Sequence, residues 1–433
     1  MNISSDQYHS GLGLFRQALN DSTLELEWIW KPVHQKTSIH RDEFQSIYQR
    51  LLLPKLGLTR QDCPETLDIR FDGTDLRCSI VGMPLIQHYC KQNTIDRLLK
   101  TSPQSVSFLR KRSKGSPLVL ANYSLRCNLK EEIMVRHDDA EIQTLLSKWS
   151  STPKTFRLKK RYSFTDQNKL LRYDLTIVKH SPLTHNGSMK YSTNFEIEKK
   201  MPSYEVELEW TGDTQAFNLQ EKIITEKEKF TASQMTTLSK AAFNYTIRYL
   251  GYIIQVSQDS CSIISKGDKN DILREYQSLV SDKSQQKQHS KHNQQSTVTS
   301  RDWIGPQPAS LNMDHIRHYK DGWDGAISIR SGYAVTPKAD GDRTMLYVSD
   351  NGNLYLIYRR MEVKTTGLRL ESLHGTLLDG ELVTTNREGQ KIRLFLVFDL
   401  YFLDQNDVRG FPFQRTLADI EQYESSNVYI FFK

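Results

Sequence analysis

Polar and apolar positions alternate with a period of two along several short runs in the first half of the chain. "SYEVELEW" at 203–210 sets Glu205, Glu207 and Glu209 against Val206, Leu208 and Trp210, and "STLELEWIW" at 22–30 carries Glu25 and Glu27 in the same alternation. A strand turns successive side chains to opposite faces, so the carboxylates of each run share one side. Further strand-like runs lie at 66–71, 75–81, 124–130, 156–164, 171–179 and 193–198. A helical period marks 41–53, 139–149 and, most clearly, 233–258, where Met235, Leu238, Ala242, Tyr245, Tyr249 and Ile253 fall on one face. There is no internal repeat of solenoid length. Many strands with few helices predict an α+β fold, either a large antiparallel sheet or a closed barrel with helices packed outside.

The alternation breaks down over 281–300, "SDKSQQKQHSKHNQQSTVTS", where Val298 is the one sizeable apolar residue. Such a stretch buries too little surface to offset the entropy of ordering, so it reads as a flexible linker. The expected organisation is therefore a first domain over 1–280, a linker over 281–300 and a second domain over 301–433.

Composition narrows the class. Hydrophobic residues make up 37% and aromatics 10% of the 433 residues, which suits a folded chain with real cores. No apolar run approaches the length that crosses a bilayer, and "MNISSDQYHSGLGLF" lacks the basic and apolar regions of a secretory signal. The cysteines at 63, 78, 90, 127 and 261 show no paired spacing, which argues for reduced thiols and against a zinc site. The net charge of +7 is compatible with a polyanionic substrate.

The chemistry lies in where those charges fall. An acidic strand face alone is most simply the wet side of a half-buried strand. Two such strands converging would repel unless a divalent cation neutralised them, and hard carboxylate ligands favour Mg2+ or Mn2+. The strand "FRLKKRYSF" places Arg157, Lys159 and Arg161 on one face. "LLRYDLTIVK" gives Arg172 and Asp174 on one face, with Lys179 following, "SFLRKRSKG" adds Arg110, Lys111 and Arg112, and "TLDIRF" adds Arg70. In an open sheet these are solvated; in a closed barrel the inward faces meet, with carboxylates for a metal and cations for phosphates.

Glu-x-Glu, Arg-x-Lys-x-Arg, Arg-x-Asp-Leu-Thr-Ile-Val and Tyr-Glu-x-Glu-x-Glu, in that order over roughly residues 20–260, resemble the triphosphate tunnel metalloenzymes, and more narrowly the RNA triphosphatases of fungal and large-DNA-virus capping enzymes. The resemblance implies an eight-stranded antiparallel β-tunnel with external helices that releases the γ-phosphate of 5′-triphosphate RNA with one metal ion. It implies Glu25, Glu27 and Glu209 as metal ligands, with Glu205 supporting them, and Glu207 orienting the attacking water. Arg157, Lys159 and Arg161 would act on the phosphates in catalysis. Arg70, Arg110, Arg112, Arg172, Asp174 and Lys179 would be further phosphate-binding residues, Arg70 and the 110–112 cluster equally readable as solvated surface.

In the second block, "YAVTPKADGDRTMLYV" holds Lys338, Asp340, Gly341 and Arg343, "TLLDGELV" holds Asp379 and Glu381, and "LFLVFDLYFLD" holds Phe398 and Asp399. A lysine in a loop is normally surface; a nucleophilic one needs cationic or apolar surroundings. In this order, with "WIGPQPASL" and "TTGL", the segments resemble the guanylyltransferase domain of capping enzymes of large DNA viruses, of the African swine fever virus and giant-virus type. By that resemblance Lys338 attacks the α-phosphate of GTP to give lysyl-GMP, Arg343 and Glu381 contact the nucleotide, Phe398 stacks on guanine, and Asp399 completes the nucleotide set. The later Asp-Gly and Lys-x-Lys motifs of that family are missing, so the expectation is an incomplete nucleotidyltransferase α+β domain. A downstream methyltransferase as partner and a cytoplasmic viral factory or virion as location follow from the resemblance alone. Two other classes stay open: a tunnel enzyme acting on tripolyphosphate or nucleotides, and a non-catalytic RNA-binding module.

Overall fold

The computed structural model describes residues 1–30, 39–181, 196–212, 231–260, 262–281, 298–316, 329–330, 333, 338–411 and 431–432. Two compact units divide the chain, Met1–Gln258 and Asp259–Lys433.

The first unit is built on β1 (Leu24–Trp30), β2 (Thr59–Asp62), β3 (Thr66–Phe71), β4 (Leu76–Val81), β5 (Val106–Leu120), β6 (Leu125–Val135), β7 (Lys154–Thr165), β8 (Leu171–His180) and β9 (Ser203–Trp210). Their order is β2-β7-β3-β4-β5-β6-β1-β9-β8, and β8 pairs back onto β7. Every pairing is antiparallel. The nine strands less β2, which joins only β7, therefore close into an eight-stranded barrel. Closure leaves no raw edge in the ring.

Most outward side chains are apolar and covered. Trp28, Phe15 and Phe243 are fully buried, with Phe15 of α1 (Ser5–Asn20) edge-on to Trp210 at 5.5 Å and Phe243 of α6 (Ala232–Ser257) 6.3 Å from Trp28. Both helices start with a full capping box, Ser4 with Gln7 and Thr231 with Gln234. Around the ring, α3 (Met83–Gln92), α4 (Asp96–Thr101) and α5 (Ala140–Ser147) cover Leu67, Ile69, Phe71, Phe108 and Phe156. α2 (Arg41–Leu51) lays Phe44 on Tyr204 and Tyr48 on Tyr162 and Phe164. With the oil outside the ring, the polar half of each alternation is left for the lumen.

The second unit is an antiparallel sheet ordered β12-β11-β10-β13-β14, from β10 (Asp342–Val348), β11 (Asn353–Tyr358), β12 (Val363–Arg369), β13 (Thr376–Thr385) and β14 (Lys391–Leu403). α7 (Lys266–Val280) packs Ile272 and Tyr276 with Met345, Tyr347, Ile357 and Leu377 on one face. Leu346, Leu356, Leu378 and Val397 belong to a second cluster on the other face.

Three expectations need correction. The first domain ends at Gln258, not at 280, because the apolar stripe of α7 belongs to the second unit's core. Of the strand expected over 193–198, the described residues Glu196–Lys199 form a single 3-10 turn. Residues 106–120 form a strand that the charged run "RKRSKGS" obscured. Of the linker expected over 281–300, residues 282–297 lie outside the described residues.

Candidate active site

The pairing register decides which charges meet. Across β1 and β9, Glu27 stands opposite Glu209; across β9 and β8, Glu209 faces Arg172, Glu207 faces Asp174 and Glu205 faces Thr176. β8 and β7 oppose Thr176 with Arg161, and β7 and β3 oppose Arg157 with Asp68. Paired residues share a face, so Glu25, Glu27, Glu205, Glu207, Glu209, Arg157, Lys159, Arg161, Arg172, Asp174 and Arg70 all point into the lumen.

There each carboxylate is held by cations. Lys111 reaches Glu25 at 2.6 Å and also pairs with Glu132, while Lys130 pairs with Glu27. Arg172 pairs with Glu209, and with Asp174 at 3.1 Å. Arg157 donates to both oxygens of Glu205, at 2.8 and 2.7 Å. Arg161 donates to Asp174 at 2.9 Å and lies 3.9 Å from Glu207. Asp68, fully buried, takes Lys159 at 2.7 Å, Arg77 at 3.5 Å and the Ser79 hydroxyl at 2.8 Å.

The electrostatics follow from crowding. Burial and then the neighbouring Glu25 charge push the Glu209 carboxyl up to about 8. Burial, then Glu205, raises Glu207. Glu25 is also pushed up by burial, but hydrogen bonds with Glu132 and Lys111 and the Lys111 charge hold it at about 2. Among the described residues no set of carboxylate, histidine or cysteine side chains already forms a ligand cage. The donor set nevertheless fits a hard divalent cation. Glu25, Glu27 and Glu209 supply oxygen ligands from two adjacent strands, Glu25 and Glu209 are within hydrogen-bonding reach, and a proton on Glu209 offsets charge that a cation would otherwise neutralise.

Three of the expected phosphate ligands are not brought into this cluster. Arg110 and Arg112 flank the inward Lys111, so alternation turns them outward, where Arg110 pairs with Asp75 and Glu141 and Arg112 with Asp75. Lys179 stands opposite Leu158 on the outward face. Sequence reasoning missed Asp68, Arg77, Lys130 and Glu132. They sit in runs whose alternation was legible, "TLDIRF", "LRCSIV" and "LRCNLKEEIMV"; the missing signal was which face turns inward.

In the second unit Lys338 is exposed, in the segment leading into β10. Arg343 donates to Asp379 at 3.1 and 2.5 Å and to the Pro306 carbonyl at 2.6 Å, and its guanidinium lies 5.5 Å from the Phe398 ring centre. Glu381 stands opposite Arg343, and Asp399 opposite Asp379. Tyr401 also donates to Asp379, at 2.5 Å. Burial, then Asp379, raises the Asp399 carboxyl. Arg343, Glu381, Phe398 and Asp399 are thus brought together, whereas a cavity of about 800 Å³ opens on the other sheet face, beside Leu346, Leu356, Leu382 and Phe395.

The first unit is thus a closed antiparallel tunnel with a carboxylate-and-cation lumen, and the second carries the pattern of a capping-enzyme catalytic domain: residues 268–426 match the family "mRNA capping enzyme, catalytic domain". Over nearly its whole length the chain is similar to one giant-virus protein. It is 27% identical over 431 residues to the "Probable mRNA-capping enzyme" of Acanthamoeba polyphaga mimivirus, covering 94% of this chain and 30% of that protein. It is 30% identical over 127 residues to the mRNA-capping enzyme of Danio rerio, covering 27% of this chain and 20% of that one. The chain therefore spans less than a third of each relative's length. Among solved structures, it aligns with the RNA triphosphatase domain of a trifunctional mimivirus capping enzyme at 20% identity and a TM-score of 0.39, covering 59% of this chain and all of that one. An S. pombe RNA triphosphatase aligns at 15% identity and a TM-score of 0.35, over 58% of this chain and 94% of that one. Among the described residues no helix is long and apolar enough to cross a membrane.

Proposed function

We propose that the first unit removes the γ-phosphate of 5′-triphosphate RNA with Mg2+ or Mn2+, and that the second takes GMP from GTP onto Lys338 in the same capping sequence. The observation that carries the first half is the convergence of Glu25, Glu27 and Glu209 on two paired strands, facing an arc of inward cations on β7 and β8.

Glu25, Glu27 and Glu209 would hold the cation, which when bound would supply Lewis-acid neutralisation of phosphate charge. Glu207 orients the attacking water and takes its proton; a carboxyl raised by burial is the better base near neutral pH. Arg157, Lys159, Arg161 and Arg172 meet the phosphate oxygens and stabilise charge that moves to the leaving diphosphate. Asp174, anchored by the Ser163 hydroxyl at 2.6 Å, holds Arg161 and Arg172 in position. In the second unit the neutral Lys338 amine forms a bond to the α-phosphorus of GTP and loses a proton as the bond to pyrophosphate breaks. Arg343, Glu381, Phe398 and Asp399 position the nucleotide. On this reading the enzyme works in a viral factory in the cytoplasm or in the virion, ahead of a methyltransferase.

The test is phosphate release from 5′-triphosphate RNA with Mg2+, Mn2+ or chelator, in wild type, Glu27→Ala and Glu209→Ala. Metal-dependent release lost in both variants supports the tunnel reading. Release indifferent to the glutamates returns them to ordinary polar strand faces, and a wild type that cleaves only tripolyphosphate or nucleotides moves the substrate to that class.

A further inference from the structure

One mouth of the lumen holds arginines that its carboxylates do not fully partner. Where β3 ends and β4 begins, a cavity of about 380 Å³ is lined by Arg70, Arg77, Lys111 and Lys130, with Thr74 and Ser113 at the exposed rim and Asp75 turned to Arg110 and Arg112.

The arginines here are short of partners. Arg70 and Arg77 stand opposite each other on the β3–β4 hairpin. Among the described residues Arg70 makes no hydrogen bond or ion pair. Arg77 shares Asp68 with Lys159, and its buried Nε has no hydrogen-bond acceptor; the buried Nε of Arg157 has none either. Burial, then the charges of Arg77 and Arg157, weakens Arg70's hold on its proton. Like charges crowded together with unmet donors form an anion site, and guanidinium forks match phosphate oxygens in pairs.

Resting on the tunnel reading above, we infer that this mouth is the RNA entrance, and that Arg70, Arg77, Thr74 and Ser113 bind the phosphodiesters following the 5′-triphosphate. The tunnel thereby distinguishes a polynucleotide from a nucleoside triphosphate, which has no phosphodiester to place there.

The experiment compares kcat/KM for a 5′-triphosphate RNA of ten nucleotides with that for ATP, in wild type, Arg77→Ala and Ser113→Glu, across a salt series. Because Arg77 touches the buried Asp68, the rim variant Ser113→Glu guards against a misfolding artefact. The expected result is a fall of at least fivefold in the RNA-to-ATP ratio in both variants, through KM. In Arg77→Ala the salt slope for RNA should also be shallower, by about 0.7 for each phosphate that the variant no longer neutralises. RNA lacking the triphosphate should inhibit wild-type ATP hydrolysis competitively and Arg77→Ala at least fivefold more weakly. An unchanged ratio with unchanged salt slope overturns the mouth assignment while leaving the tunnel reading standing. A wild type that hydrolyses neither substrate overturns the tunnel reading, and this inference with it.

Discussion

Asp68 has no exposed surface, yet two cations depend on it. Although burial alone would raise its carboxyl, Lys159 and then Arg77 hold it below the ordinary range. Asp68→Ala would leave both cations desolvated and uncompensated, which in comparable cases costs about 3–5 kcal/mol; urea unfolding of the variant should show a loss of that size, and a loss under about 1 kcal/mol would mean that water already screens the cluster. Glu209 behaves in the opposite sense. Its carboxyl is raised from 4.5 to about 8, so between those values the folded state keeps a proton that the unfolded chain has released. Stability in chelator should therefore fall as pH rises from about 5 to 8, and Glu209→Gln should flatten the slope in thermal melts. Glu25, held at about 2, adds no slope in that window; its contribution is lost only as pH falls below about 4.5 towards 2. A cation that takes the place of the Glu209 proton releases it, so Mg2+ should raise the melting temperature more at pH 8 than at pH 6. At this scale the acidic and basic alternations of β1, β7 and β9 were legible because each repeats a charge at every second position. Asp68 and Arg77 were not, since a single charge among apolar neighbours does not declare whether it faces water or a lumen.

The barrel inverts the usual distribution of oil and charge, and its helices carry the cost of that inversion. α6 lays Phe243 against Trp28, Phe15 and Tyr8, and Gly11 of α1 leaves room for that ring: a Cβ there would come within 2.4 Å of it. Phe243→Ala should cost about 3–5 kcal/mol. Gly11→Ala should also destabilise, by about 1–3 kcal/mol, through overpacking of the same contact. Because these residues lie outside the ring, both variants should lower the denaturation midpoint while leaving KM for 5′-triphosphate RNA within twofold below it; a KM shift without a stability loss would mean that the helices shape the lumen directly. The 26-residue α6 was readable from its period, as were α2 and α5. α1 was not, since Gly11 and Gly13 dilute its apolar stripe and its start depends on the Ser4–Gln7 box. β5 escaped because its middle carries ion-paired charges on both faces, so no apolar alternation marks it.

For the molecule as a whole, composition placed the boundary at the polar stretch beginning at 281, while the packing places it at Gln258. α7 was not among the helices that the period marked, and its apolar partners lie after it in sequence, among Met345, Ile357 and Leu377. The difference matters for function because, among the described residues, every strand of the ring and every charge paired in its lumen comes from residues 1–258. On the proposed reading the tunnel chemistry should then need nothing from the second unit. A fragment of residues 1–258 should fold cooperatively, with a melting temperature within a few degrees of the tunnel transition in the whole chain. It should release γ-phosphate from 5′-triphosphate RNA with kcat/KM within about twofold of the intact protein. Lys338→Met in the whole chain should likewise leave that release unchanged while removing any label transferred from GTP carrying a radioactive α-phosphate. Loss of phosphate release in the fragment, with its fold intact by circular dichroism, would show instead that residues beyond Gln258 complete the tunnel site.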